Sequence, residues 1–200
     1  VFLSQENRPD SMDYYNMVVA DIHGIRPAEL IEHQKKGGKV FGTFCVYVPD
    51  EIVFAADAIA TGLCGGSQFW VPGGEKVLPA NTGARLDRTC PFFRIADMFI
   101  GETTCDGKKK AWEILAKDVP LHVMDLPQMK RAKDIKAWAE EIETFKNVVE
   151  EFTGNVVTAE KLAESIKLIN NKRKALERLY NLRKNENLPI SGCDVLLISQ

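Results

Sequence analysis

The sequence predicts an α/β fold: a parallel sheet with flanking helices, and a long helical pair near the C-terminus. Three observations carry this reading. Short runs rich in β-branched and aromatic residues recur along the first two thirds of the chain. Helical text separates them in strict alternation, which is the pattern of crossover-connected parallel strands. Two long amphipathic stretches then follow with no strand between them.

Each element has its own signals. Pro27-Ala28-Glu29-Leu30-Ile31-Glu32 opens a helix, with proline at a tolerated first-turn position. Gly37 and Gly38 stop it. KVFGTFCVYV, Lys39 to Val48, reads as the first strand. Pro49-Asp50-Glu51 starts a helix to about Ala60, and Gly62-Leu63-Cys64-Gly65-Gly66 is a turn. Residues 67–88 are loop-like, with Pro72, Gly73, Gly74, Pro79, Asn81 and Gly83. Ile95 to Gly101 is a second strand. Cys105-Asp106-Gly107 bends into a helix over Lys108 to about Lys117, and Leu121 to Leu126 is a third strand ended by Pro127.

Asp134 to Phe152 is an amphipathic helix whose stripe of Ile135, Trp138, Ile142, Phe145 and Val149 is expected to be buried together. Thr158 begins another long helix, to about Asn185. Cys193 to Gln200 looks like a fourth strand, and since no helix follows it the natural chain is expected to continue. The crossovers are expected to be right-handed.

The bulk numbers exclude several classes. Twenty-six basic residues face 28 acidic ones, a formal net charge of −2. The basic residues are spread along helices, so no nucleic-acid partner is implied. No apolar run approaches the length that spans a bilayer. The opening VFLSQENRPDSMDYY lacks the regions of a signal peptide, and a cytoplasmic location is the expectation.

The five cysteines are Cys45, Cys64, Cys90, Cys105 and Cys193, an odd number that argues against a disulfide framework. Free cysteines are commonly small buried hydrophobes, and Cys45, placed inside a strand, fits that reading. The others sit at turns. Cys105 falls between a strand end and a helix amino terminus, where sites form in open α/β sheets and where unpaired N–H groups favour a thiolate ligand. Cys64 is followed by two glycines, which let backbone approach a bulky inorganic group. Cys90 precedes Pro91, which fixes the backbone. These spacings match neither compact ferredoxin patterns nor zinc-finger pairs.

Lys108, Lys109 and Lys110 read as a solvated helix face, or as contacts for an anionic CoA moiety. Glu51 and Glu102, near strand ends, could cap helices or serve as acid or base. His23, His33 and His122 are scattered and receive no role.

The segments GKVFGTFCVYVPDEIVFAADAIATGLCG, EKVLPANT, TCPFFRIADMFIGETTCDGKKKAWEIL and LHVMDLPQ together resemble the 2-hydroxyacyl-CoA dehydratase / benzoyl-CoA reductase family. The extra cysteines in GLCG and TCPFF look more like its double-cubane branch than its single-cluster dehydratase subunits. The resemblance implies Rossmann-like α/β domains and an oxygen-sensitive iron–sulfur cluster, [4Fe-4S] or double-cubane. It implies an ATP-dependent activator protein that delivers a low-potential electron, and an acyl-CoA or small-molecule substrate. A dimer with itself or a related subunit is implied too. Carried over by position, Cys105 is the most secure cluster ligand, with Cys64 and Cys90 as double-cubane-type ligands; Cys45 and Cys193 match no ligand position.

The resulting division is an α/β cluster-binding domain over 1–130, a helical pair over 131–188, and over 189–200 the first strand of a second α/β domain. Two other functions stay open: an (R)-2-hydroxyacyl-CoA dehydratase subunit removing water through a ketyl radical, and a metal-free α/β interaction module. Cys64, Cys90 and Cys105 are expected to converge at one end of the sheet. The family's pattern also has a Cys-Pro step soon after LPxN. Asn81-Thr82 runs instead into Gly83-Ala84-Arg85, so a segment is expected to be missing between Thr82 and Gly83; the rival is a real deletion.

Overall fold

Four short apolar runs form one all-parallel sheet: β1 (Val40–Thr43), β2 (Ile59–Gly62), β3 (Met98–Glu102) and β4 (Leu121–Met124). The computed structural model describes residues 8–21, 24–63 and 91–199. Cys64, Cys90 and the Thr82–Gly83 junction lie outside the described residues, and so do His23 and the loop-like 67–88. The helices are α1 (Asp13–Ala20), α2 (Ile25–Lys35), α3 (Asp50–Ala55), α4 (Pro91–Ile95), α5 (Asp106–Leu115), α6 (Ala132–Thr153), α7 (Ala159–Leu182) and α8 (Gly192–Ser199). The chain divides into two compact units, residues 30–165, and 1–29 with 166–200.

In the first unit the strand order is β2-β1-β3-β4. Side chains alternate across a strand, and here both faces are covered. Phe41, Ile100 and Met124 point to one face, where they join Ile52 and Val53 of α3 and Phe145 and Val149 of α6. Val40 points to the other face, with Leu30 of α2 and Phe92 of α4. Val123 packs there against Trp112 and Leu115 of α5. Helices on both faces explain why the strands read as apolar runs with little polar alternation.

Four departures from the sequence reading matter most here. β1 ends at Thr43, so Cys45 is not inside a strand. α3 stops at Ala55, because Asp57 turns the backbone with φ +57°, and the chain returns as the unexpected strand β2. Asn155 Nδ2 donates to Ala56 O at 2.9 Å and Lys161 Nζ pairs with Asp57 Oδ2 at 2.6 Å, which holds that turn. Within the stripe on α6, Phe145 and Val149 are fully buried and Trp138 and Ile142 pack on the same core, but Ile135 is 63% exposed. It sits in the first turn of the helix and is not part of that core.

The fourth difference lies in the second unit: residues 192–199 form the helix α8, not a strand. Ser191 Oγ accepts from Asp194 N at 3.0 Å and donates to Asp194 Oδ2 at 3.2 Å. Arg8 Nη2 donates to the buried Asp194 Oδ1 at 2.6 Å, and this pair fixes the start of the described chain to α8.

His122 on β4 carries a pH dependence. Its ring stacks on Phe145 with centroids 5.8 Å apart. Burial lowers its pKa from the usual value, although Glu141 Oε1, 3.8 Å from Nε2, pulls the other way. The unfolded chain therefore takes up this proton more readily than the folded one. The stability tied to the neutral ring is complete above the unfolded pKa, about 6.5, and is lost as the pH falls below it. The thermal midpoint of the wild type is expected to drop more steeply between pH 6.5 and 5 than that of His122→Phe. Equal slopes would remove His122 as the cause.

Candidate functional site

β1 leads to β2 on one side and β3 leads to β4 on the other, so the winding reverses between β1 and β3. Ligands of open parallel sheets bind outside the carboxyl ends of the strands at such a point. The two segments that leave the sheet there are 44–49 after β1 and 103–105 after β3.

Cys105 stands on the second of these. It is exposed and occupies the N-cap of α5 in extended backbone, φ −149° and ψ 155°, and its side chain makes no capping bond. Serine, threonine, asparagine or aspartate is the ordinary N-cap, worth about 0.5–2 kcal/mol over a residue that cannot cap. Cys105 fills this place without a side-chain capping bond to the first-turn N–H groups, and its thiol is exposed.

The segment after β1 is held from below by aromatic rings. Phe44 lies 4.7 Å from Trp112 between ring centroids and 6.2 Å from both Phe93 and Phe99. Trp112 sits directly over Gly101: a Cβ there would come within 2.8 Å of the indole. The indole Nε1 donates to Glu102 O at 2.9 Å. Glu102 itself is fully buried, and its Oε1 accepts from Tyr47 N at 3.0 Å, while Oε2 has no hydrogen-bond partner among the described residues. A buried carboxylate thus ties the end of β3 to the segment after β1. On the far side, Thr103 Oγ1 donates to Asp125 Oδ1 and accepts from Leu126 N, both at 2.8 Å, so the segment after β4 is bound in as well.

These anchors bring Cys45 to the same edge as Cys105. Cys45 Sγ lies 3.8 Å from Thr104 Oγ1, the residue just before Cys105. The Lys108 ammonium, in the first turn of α5, donates to Cys45 Sγ and reaches Phe44 O at 3.4 Å. Of the three lysines read as a solvated face, Lys109 pairs with Asp106 and Lys110 with Glu113. Lys108 alone of the three turns inward. Glu51, in the first turn of α3, is half-buried, and its carbonyl accepts from Ser165 Oγ at 2.7 Å.

Of the predicted ligands the described residues therefore place one, Cys105; Cys64 and Cys90 fall outside them. Cys193, in α8 of the other unit, is exposed. The placement of Cys45 outside β1 and the inward turn of Lys108 were not expected. The signal for Lys108 was available: a cation in the first turn of a helix opposes the helix dipole. For Cys45 nothing in the text marked the early end of β1.

The described part fits an iron–sulfur site to the extent of one donor. Among the described residues it offers an exposed thiol at the N-cap of α5, with a second thiol at the same edge. No group of three or more His, Cys, Asp or Glu gathers at one point among the described residues.

The fold defines a parallel α/β protein, with two cysteines, Cys45 and Cys105, near the carboxyl ends of β1 and β3. The sequence matches the family described as 2-hydroxyglutaryl-CoA dehydratase, D-component, over residues 45–200, and the chain belongs to that family. It is 34% identical over 178 residues to the putative dehydratase subunit YjiM of Escherichia coli (strain K12), covering 84% of this chain and 46% of that protein. It is 26% identical over 174 residues to a subunit of the benzoyl-CoA reductase of Thauera aromatica, covering 80% of this chain and 44% of that one. The chain thus spans about half the length of the curated relatives it matches. No described helix is long and apolar enough to cross a membrane.

Proposed function

We propose that this chain is the amino-terminal α/β part of an iron–sulfur protein that passes low-potential electrons to an acyl-CoA or a small reducible molecule. The single observation that carries the proposal is Cys105, an exposed thiol at the uncapped start of α5 beside the sheet's switch point, within a matched family segment. Cys105 would be one cluster ligand, with Cys64 and Cys90 as further ligands from the adjoining sequence. Bound there, a cluster would supply one-electron transfer. The protein's part is to hold the thiolates, present backbone N–H groups and keep the loops in register. An ATP-dependent activator is the proposed electron source, a related subunit or second copy the proposed partner, and the cytoplasm the proposed location. The helical pair of 131–188 would separate this cluster-binding domain from a second α/β domain.

The printed name of the matched family favours a second reading, an (R)-2-hydroxyacyl-CoA dehydratase subunit. Iron and acid-labile sulfide analysis of protein purified without air tests the cluster itself. Stoichiometric iron and sulfide are expected; their absence, with the protein folded, would leave a metal-free interaction module. A dehydration assay on 2-hydroxyacyl-CoA thioesters with an activator then separates the two enzyme readings.

A further inference from the structure

Among the described residues, Cys45 is the cysteine whose sulfur meets an amine. The Lys108 ammonium donates to Cys45 Sγ and reaches Phe44 O at 3.4 Å. Both side chains are half-buried, and they come from segments 63 residues apart. Packing holds the pair together. Lys108 and Trp112 stand one turn apart on the same face of α5, and Phe44, next to Cys45, lies 4.7 Å from Trp112 between ring centroids. Two residues beyond Cys45, Tyr47 N donates to the fully buried Glu102 at 3.0 Å. The thiol is therefore anchored on both sides along the chain. Lys108 itself breaks a local rule, because a cation in a first turn works against the helix dipole. Lys109 and Lys110 pair with Asp106 and Glu113, whereas no carboxylate forms an ion pair with Lys108 among the described residues. Rules broken in this way mark functional sites.

We propose that Cys45 and Lys108 form an oxidative modification site, at which hydrogen peroxide joins the cysteine sulfur to the lysine nitrogen. In the first step the thiol gives two electrons to peroxide. An S–O bond forms, the O–O bond breaks, and one water leaves behind a sulfenic acid. In the second step Lys108, having released its ammonium proton to solvent, attacks that sulfur. An S–N bond forms as the S–O bond breaks, and the departing hydroxide takes a proton from nitrogen and leaves as water. One thiol, one amine and one peroxide thus give one sulfenamide and two waters. Sulfenic acids condense in the same way with a backbone nitrogen. Contact selects the partner, since an amine already held against the sulfur reacts as part of the same molecule and outruns a dilute one. The link ties the segment after β1 to α5 and so fastens the carboxyl edge of the sheet between β1 and β3. A free thiol attacking the sulfur releases the amine, and a second thiol restores Cys45. Neither step draws on a cluster or on a cysteine outside the described residues.

The experiment treats protein purified without air with a stoichiometric amount of hydrogen peroxide, blocks the remaining thiols by alkylation, and maps tryptic peptides by mass spectrometry without reductant. A joined peptide holding Cys45 and Lys108 is expected, at the summed mass of its two parts less two hydrogens. Trypsin should no longer cut after Lys108, and dithiothreitol should separate the parts. Cys45→Ser should lack the link. Lys108→Arg, which keeps the charge and a donor for the sulfur but has no lysine amine, should lack it too, and Lys109→Arg should keep it. Wild type oxidised in concentrated urea should also lack it, because the pairing belongs to the fold. Circular dichroism shows whether each variant folds; should one fail, the wild type with and without urea decides alone. Cys45 oxidised with Lys108 left free, a link made as readily to Lys109 or Lys110, or an equal yield in urea would each overturn the inference.

Discussion

Cys105→Ala is expected to bring cluster iron down sharply, to background if the remaining thiols cannot hold it, while leaving the fold unchanged. The two halves of this expectation come from different facts. The thiol is exposed and its side chain makes no capping bond, so its loss removes no buried contact. Changes at such positions usually move stability by no more than about 0.5 kcal/mol. As a ligand, by contrast, a thiolate has no substitute in alanine. Iron analysis of air-free protein, and urea unfolding curves of wild type and variant both stripped of iron, give the two readings. Full iron in the variant would exclude Cys105 as a ligand. A large fall in unfolding midpoint would mean that the cysteine is structural.

The largest effect on stability is expected at Phe145. Its side chain is fully buried between His122 and the apolar residues of β1, β3 and α3. Truncating a buried phenylalanine to alanine costs about 3–5 kcal/mol, through lost transfer energy and the cavity left behind. Phe145→Ala should therefore shift the unfolding midpoint far more than Ile135→Ala, on the same helix but mostly exposed. Comparable shifts would mean that the inner face of α6 has been assigned wrongly.

What could be read in advance divides along physical lines. β1, β3 and β4 carry enough β-branched and aromatic side chains to announce themselves, and α6 and α7 are long enough for their period to show. β2 is only Ile59-Ala60-Thr61-Gly62 at the sheet edge, following a helix-like run, and what breaks that run is one left-handed aspartate. The apolar GCDVLLIS is the short kind of run whose period cannot tell strand from helix. The deciding mark, Ser191 three residues before Asp194, was in the sequence as a capping pair and was overlooked. The motif and its turn placed Cys105 between the end of β3 and the start of α5, where it stands. Cys45 depended on where β1 stops, and Lys108 on which way one of three lysines turns; both are settled by packing around Phe44 and Trp112.

The position of β1 in the middle of the sheet also orders events as the chain folds. Its hydrogen bonds with β2 close across a short stretch, Val40 opposite Ile59. Its other side must wait for β3: Val40 N, for example, binds Asp97 Oδ2, 57 residues away. Pairings of high sequence separation pay their loop-closure entropy before any contact rewards it, so they form late and slowly. During synthesis the nascent β1–β2 pair therefore has one open parallel edge until the segment bearing Cys105 emerges. The two segments of the candidate site are then brought together by the β1–β3 pairing, the one of greatest sequence separation in the sheet.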